Sequence, residues 1–381
     1  MPRSRKPAAP DSLVVNQITL HQLQQQQLDV ARYRKALQTA SRVTIPWRKA
    51  LLEIYQELML DAHLYAIVQK RIRNVKNTPI TYVEDGKDTT TVNDMLEGPW
   101  FIHMIEHIMG SIFYGHSLVE FELREGYISE AHLIPRHHVH PERGVITLSS
   151  AYDITGGLPY REPPYANFML EVGMPNELGL LNIAAVNTIL KRNGRIDHAN
   201  FVEMFGSPIR DFEYDPSVPG AREEAERIAK EAGNSVAITR PRDQMSLTLH
   251  SVATSGSSDD VHTRFIDSLK QELSILVLGQ TMTTEDGSSR SQAEVHENEQ
   301  EKITHEDKML VSYVLNYHFK PLLAGLGYPV DKGHFQFDEG ENLTPVEKAD
   351  LYLKLSQLVE IDQEQIYREF DLDVPGKKKA N

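Results

Sequence analysis

Three of four consecutive residues in one stretch are histidines, the side chain that most often binds zinc or transfers a proton near neutral pH. Residues 137–142 read His-His-Val-His-Pro-Glu, and on a strand His138 and His140 would point to the same face. A zinc site needs three or four convergent ligands, and the sequence supplies no independent partner for this pair. We therefore interpret these residues as polar side chains on a solvent-exposed strand. A metal-dependent hydrolase that uses His137, His138, His140 and a carboxylate stays open as an alternative.

The other patterns that could support catalysis are incomplete. His296-Glu297 resembles the start of a helical zinc motif, but Gln300 stands where the second histidine is required. The chain has no cysteine, and it lacks both the Gly-x-x-x-x-Gly-Lys-Ser/Thr phosphate loop and the Gly-x-Ser-x-Gly nucleophile turn. We expect neither an enzyme nor a bound metal or cofactor.

Residues 278–292 form the most distinctive polar stretch of the chain and are rich in hydroxyl side chains. Such a loop could contact a passing ligand, because serine, threonine and arginine side chains are common phosphate contacts. A surface loop without a role is the alternative interpretation. The residues that we expect to face a ligand are Thr281, Thr283, Thr284, Ser288, Ser289 and Arg290.

Two long helices are predicted before this loop, and they would position it. Residues 180–205 carry apolar residues at helical spacing, including Ile196, with an interruption at Gly194. Residues 258–278 follow several possible N-cap residues and form the second helix. Its apolar positions lie on more than one side. The residues expected to pack it against its neighbours are Phe265, Leu269, Leu273 and Leu276.

A small α/β module is predicted between the two long helices. Strands at 210–214, 235–239 and 246–249 surround a helix at 219–232. This helix carries Glu-to-Arg and Glu-to-Lys pairs four residues apart, which is typical of a solvated face. Its candidate contact residues are Glu223, Glu224, Arg227 and Lys230.

The remaining elements indicate an α+β fold. We predict two helices over 47–75 broken near Asp61, a hairpin of strands 80–83 and 89–92, a helix over 101–113, and a half-buried strand over 118–123. A long helix over 293–318, a strand at 335–337 and an amphipathic helix over 345–359 follow.

The charge balance argues against a protein that binds nucleic acid tightly. Asp and Glu number 54 against 40 Lys and Arg, so the formal net charge is −14. Such a chain would repel a polyanion, whereas a conduit that lets DNA slide gains from weak contacts. The sequence contains neither a membrane-spanning apolar run nor a secretory signal, so we expect a protein made in a cytosol. Residues 1–11 are interpreted as a basic tail.

The chain resembles the portal proteins of Mu-like bacteriophages. Residues 278–284, Leu-Gly-Gln-Thr-Met-Thr-Thr with Gly287-Ser288 after them, carry the resemblance together with residues 201–210, Phe-Val-Glu-Met-Phe-Gly-Ser-Pro-Ile-Arg. Weaker matches lie at 61–64 with Arg71, at 114–120 and at 335–337. Together they span roughly residues 50 to 375 in the expected order.

The resemblance implies a portal fold with a wing, a two-helix stem, an inserted clip and a short helical crown. The domains would be an N-terminal tail and arm at 1–45, the first part of the wing at 46–179, and a stem helix at 180–205. The clip would follow at 206–255, the second stem helix at 256–279, the channel loop with the rest of the wing at 280–330, and the crown and tail at 331–381.

The resemblance also implies a function and partners. Copies of the chain would form a ring, a dodecamer, at one vertex of the capsid, assembled in the cytoplasm of the bacterial host. Double-stranded DNA would pass through the ring, which would dock the large terminase subunit and then head-to-tail connector proteins, beside the major capsid and scaffolding proteins. No membrane is expected to be involved. Another capsid or baseplate structural protein without a DNA channel remains an alternative.

Overall fold

Four helices open the part of the chain that can be described. The computed structural model describes residues 13–18, 28–85, 89–148, 157–205, 210–231, 237–241, 258–280, 290–330, 332–338 and 352–354. The helices are α1 (Val14–Gln17), α2 (Val30–Ala40), α3 (Lys49–Leu58) and α4 (Ala62–Lys76). The predicted break at Asp61 is confirmed, because its side chain accepts a hydrogen bond from the Leu64 amide (2.9 Å) and caps α4.

The predicted hairpin at 80–92 is wrong. Strand β1 (Ile80–Val83) is followed by helices α5 (Thr90–Leu96) and α6 (Pro99–Tyr114). Val92 and Leu96, one helical turn apart, are both buried, and their burial favours a helix. The Asn93 amide accepts from the Tyr82 N–H (2.7 Å) and donates to the Tyr82 carbonyl (3.1 Å), so a side chain replaces the expected partner strand.

Two antiparallel sheets follow, and they enclose a strand that was expected to be half-buried. Strands β2 (His116–Arg124), β3 (Tyr127–Leu133) and β7 (Met169–Gly173) form one sheet in the order β3-β2-β7. The short strands β4 (Val139–His140), β5 (Val145–Ile146) and β6 (Leu158–Pro159) form the other. Residues 116–121 of β2 are all buried. The half-buried prediction is wrong there, because helices cover one face of β2 while α1 and the small sheet cover the other.

Glu120 is a charged residue in this buried part of β2. Its carboxylate accepts the backbone N–H groups of Val14 (2.7 Å) and Val15 (2.9 Å) and so holds the first turn of α1. Val14 is completely buried among residues of both sheets. Residues 13–18 are therefore part of the core beneath the small sheet.

The two long helices and the module between them follow the predicted order. They are α7 (Leu180–Phe205), β8 (Arg210–Tyr214), α8 (Ala221–Glu231), β9 (Ala237–Pro241) and α9 (Ser258–Leu278). β8 and β9 pair in parallel with α8 as their crossover. The strand predicted at 246–249 lies outside the described residues.

The C-terminal part returns to the first core. Helix α10 (Arg290–Val314) continues through a π-helical turn, Leu315–Phe319, into α11 (Lys320–Gly325). Strand β10 (His334–Phe337) then pairs antiparallel with β1, which confirms the strand predicted at 335–337. Of the helix predicted at 345–359, only residues 352–354 are described, and they are helical. Within the described ranges, no helix is both long and apolar enough to cross a bilayer.

Candidate functional site

Helices α7 and α9 pack along each other as an antiparallel pair. At one level the Asn187 amide donates to the Glu272 carboxylate (2.7 Å), and two turns further along α7 Gly194 meets Phe265. The predicted interruption at Gly194 is wrong, since α7 continues through it. A methyl group at Gly194 would lie 3.3 Å from the Phe265 ring, so the glycine allows the two helices to approach closely.

The four residues expected to pack the second helix have different environments. Leu269 and Leu273 are buried, Leu276 is partly buried and Phe265 is 45% exposed. The seam of α9 runs through Ile266, Leu269, Leu273 and Val277, which are all buried. These four residues follow one another at helical spacing, and Phe265 lies beside them on α9. The packing of α9 therefore leaves part of its apolar surface exposed.

The helix pair is anchored to the rest of the chain by a nearly buried ion pair. The Lys191 ammonium lies 2.5 Å from an Asp61 carboxylate oxygen, with the two side chains only 2% and 10% exposed. Desolvation lowers the pKa of Lys191, and the Asp61 carboxylate opposes this shift. The same carboxylate caps α4, so one group connects α4 to α7.

Two further contacts hold α9 on this base. The Nε2 atom of His63 lies 3.1 Å from both the Lys270 carbonyl and the Ser274 hydroxyl, and burial lowers the pKa of its imidazole. Arg71 binds both carboxylate oxygens of Asp307 (2.7 and 2.8 Å) and donates to the carbonyl of Val277 (2.9 Å). Because bidentate Arg-carboxylate pairs are directional, α4, α9 and α10 are held in one arrangement.

Large apolar side chains remain exposed on both helices of the pair. On α9, Val261, Phe265 and Ile275 are between 45% and 67% exposed and share one stripe. On α7, Ile196 and Val202 are about half exposed. An open groove of about 800 Å³ lies between the helices, lined by Ala199, Val202 and Ile266 and by the cationic side chains of Lys191, Arg195 and Lys270.

The charged face of α8 is solvated. Arg227 forms a bidentate pair with Glu224 (2.6 and 3.0 Å), and Arg222 pairs with Glu226 (2.9 Å). Arg227 and Glu224 are both 56% exposed, and the arginine lowers the pKa of the carboxyl group. Glu223 and Lys230, the other candidate contact residues, lie on the same helix. Exposed pairs of this kind contribute little to stability.

Most of the polar loop lies outside the described residues. Thr281, Thr283, Thr284, Ser288 and Ser289 fall in that part, and Arg290 begins α10. Just before the loop, the Gln280 side chain donates to Gln300 on α10 (2.8 Å). The loop therefore leaves the end of α9 beside α10.

The histidines at 137–140 do not lie on a solvent-exposed strand, so that interpretation is wrong. Residues 136–138 form a 3₁₀ turn, and His138 and His140 are both buried. His138 Nδ1 lies 2.6 Å from the Thr147 carbonyl oxygen, and the His140 ring meets the Trp47 ring edge-on. Within the described ranges, no three His, Cys, Asp or Glu side chains are grouped as metal ligands.

The sequence reasoning missed a polar cluster at the junction of the two sheets. The Glu171 carboxylate accepts from Tyr160 (2.6 Å) and from two nitrogens of Arg161 (2.7 and 2.9 Å), and lies 3.0 Å from His116 Nε2. Desolvation raises the pKa of Glu171, but these hydrogen bonds outweigh it and lower the pKa to about 2. In the sequence, the feature that pointed to this cluster was Glu171, a charged residue between Leu170 and Val172 in a strand.

Comparisons with known proteins give a family and a shared fold. The profile of a family described as "Portal protein of Mu bacteriophage" matches residues 52–372. A chain of the structure described as "Neck of empty GTA particle computed with C6 symmetry" is similar with a TM-score of 0.53 and 14% identity, over 91% of this chain and 100% of that one. An HK97-family phage portal protein from Corynebacterium diphtheriae gives a TM-score of 0.44 and 12% identity, over 74% and 94%. No curated protein sequence matches.

Proposed function

The chain belongs to the portal protein family of Mu bacteriophage, and we propose that its copies form a closed ring at one capsid vertex through which double-stranded DNA is packaged and ejected. The observation that carries the proposal is the helix pair α7–α9, in which both helices expose apolar side chains. A closed ring needs head-to-tail contacts, in which one surface of a subunit meets a different surface of the next. The apolar side chains exposed on both helices give each copy surface for such contacts.

Burial of these apolar side chains between copies would stabilise a ring. Fully burying an exposed Val, Ile or Phe side chain is worth about 1.5–3 kcal/mol, and covering one that is about half exposed is worth roughly half of that. The exposed side chains of Val261, Phe265 and Ile275 on α9 and of Ile196 and Val202 on α7 would be covered in a ring. A dodecamer, as in the family resemblance, would bury both sets in every copy.

The α8 module fits the clip of a portal. It lies between the two long helices in sequence, and the ion pairs of α8 lie on its exposed face. We assign this face, with Glu223, Glu224, Arg227 and Lys230, to docking of the large terminase subunit during packaging and of head-to-tail connector proteins afterwards. A face of mixed charge whose ion pairs are exposed to solvent is suited to binding one partner after another.

The channel role is assigned to the loop at 281–289 and Arg290, which follow α9. The net charge of −14 supports a conduit that does not bind DNA tightly. The chain would take its energy for DNA movement from the terminase, since the sequence has no phosphate-binding loop of the nucleotide-hydrolysing kind. The ring would contact the major capsid and scaffolding proteins and would assemble in the host cytoplasm.

Imaging of the purified protein by negative-stain electron microscopy, with mass photometry of the same sample, tests the proposal. The expected result is closed rings with a central bore wide enough for a DNA duplex. A protein that stays monomeric at all concentrations and salt conditions would overturn it. Closed assemblies without a bore would instead indicate another capsid or baseplate structural protein.

A further inference from the structure

Arg136 is a guanidinium that the fold clamps in one position. It lies in the connection between β3 and β4, with its Cζ atom 4.1 Å from the centroid of the Tyr114 ring. Its Nε donates to the His116 carbonyl and its Nη2 to the Ser117 hydroxyl, both at 3.0 Å. Gly110 lies directly beneath it, and a methyl group there would stand only 2.6 Å from Nη2. The absence of a side chain at Gly110 therefore makes room for the guanidinium.

This cation lacks an anion in the part of the chain that the structure describes. Other poorly exposed cations there have one: Arg71 binds Asp307, Arg48 binds Glu142 and Lys191 binds Asp61. Desolvation lowers the pKa of Arg136 to about 10, and only the Tyr114 hydroxyl opposes that shift. An arginine stays charged at neutral pH, so a desolvation cost that no carboxylate offsets remains in the single subunit.

The contacts that hold Arg136 leave some of its N–H groups for further hydrogen bonds. A guanidinium has five N–H groups, and the two hydrogen bonds above use one on Nε and one on Nη2. The residue as a whole is partly exposed to solvent. A planar fork held in one orientation is the group that binds a carboxylate or phosphate through two parallel hydrogen bonds.

We propose that Arg136 is the socket for a carboxylate of a neighbouring copy of this chain. The inference rests on the proposed ring, which brings a second copy alongside each subunit. The neighbouring copy carries an excess of carboxylates, since Asp and Glu outnumber Lys and Arg by 54 to 40. The cost of desolvating Arg136 is then borne by the free subunit and offset on assembly, which makes the residue a determinant of ring formation rather than of folding.

Arg136→Gln tests the proposal, with Arg124→Gln as the matched control because Arg124 is 71% exposed. In dilute subunits Arg136→Gln should change Tm little, because removal of a desolvated charge without an anion offsets the loss of its two hydrogen bonds and its contact with the Tyr114 ring. Ring formation measured by mass photometry should require at least a tenfold higher protein concentration, while Arg124→Gln should match the wild type. Gly110→Ala, which keeps the charge but displaces the fork, should weaken ring formation in the same direction.

A second measurement identifies the source of the anion. Inorganic phosphate at matched ionic strength should raise the Tm of dilute wild-type subunits but not of Arg136→Gln. If phosphate protects the wild type while Arg136→Gln still assembles normally, the site binds an oxyanion that no neighbouring copy supplies, and the proposal is wrong. It is also wrong if Arg136→Gln loses subunit stability in step with assembly. A wild-type protein that forms no rings would contradict the proposed function itself, whatever the variants do.

Discussion

Lys191 of α7 and Asp61 at the start of α4 form an ion pair 2.5 Å long that is almost closed to solvent. The Asp61 side chain also accepts a hydrogen bond from the Leu64 amide and so caps the N-terminus of α4. The pair joins the long helices, which carry the exposed apolar faces, to the helical body beneath them. A change at either residue therefore tests how the body positions the helix pair.

Asp61→Asn should destabilise the subunit by about 3–5 kcal/mol, because it leaves the Lys191 ammonium buried without an anion. Asparagine is itself a good N-cap, so the loss reports on the ion pair and not on the cap. Lys191→Met together with Asp61→Asn should recover part of the stability. Chemical unfolding of the two single variants and the double variant gives the coupling energy, and strictly additive effects would show that the two groups do not interact.

Val261→Asp should abolish or strongly weaken ring formation while it changes subunit stability by no more than about 0.5 kcal/mol. Val261 is 67% exposed in the first turns of α9, where an added carboxylate is favourable with respect to the helix dipole. Met174→Asp provides a control at a residue of similar exposure away from the helix pair. Sedimentation velocity of the wild type and the two variants measures ring formation. If Val261→Asp forms rings at the same concentrations as the wild type, the exposed apolar residues of α9 are not part of the interface.

Glu171 should make the subunit sensitive to acid. Its folded pKa, about 2, lies below the usual value of 4.5, so the ionised form contributes stability above pH 4.5 that is lost as the pH falls toward 2. The full shift corresponds to roughly 3 kcal/mol. In Glu171→Gln the free energy of unfolding should be lower at pH 7 and change less between pH 4.5 and 2. Urea unfolding across that pH range measures the difference, and parallel curves for both proteins would contradict the prediction.

The N-terminal segment should contribute to the stability of the core. Val14→Ala should cost about 1–2 kcal/mol, since a completely buried side chain loses two methyl groups. Glu120→Gln should also destabilise, because an amide retains only one oxygen for the two N–H groups of Val14 and Val15. Urea unfolding at pH 7 measures both, with the partly exposed Val15→Ala as the milder control. If deletion of residues 1–18 leaves stability unchanged, α1 is not part of the core in solution.

Deletion of residues 281–289 should leave ring assembly intact and impair DNA packaging or retention. The stretch follows the buried end of α9, where Val277 and Leu278 already complete the packing of the helix. Electron microscopy checks the rings, and the amount of DNA protected in assembled heads checks packaging. A replacement of equal length by Gly and Ser separates the effect of chemistry from that of length. Normal packaging by both variants would remove the loop from the mechanism.

Local signals in the sequence were sufficient for much of the helical architecture. The break near Asp61 and the helical spacing in 180–205 and 258–278 act over a few residues, so they can be recognised without a partner. The strand-helix-strand order of the α8 module was likewise recognisable. The resemblance carried by residues 201–210 and 278–284 predicted the portal family, which the match over residues 52–372 confirms.

Tertiary structure decided which surfaces those elements bury. The sequence placed a hairpin at 80–92, but β1 found its partner in β10 because strand pairing depends on distant residues that compete for the same edge. The apolar residues of α9 were recognisable, yet only packing against α7 selected Ile266 and Val277 for the seam and left Phe265 partly outside. The burial of His138 and the clamp on Arg136 likewise follow from contacts between elements. The sequence by itself therefore determined most of the long helices and the family, because these depend on local patterns. The fold determined which apolar side chains stay exposed and left Arg136 without an anion among the described residues.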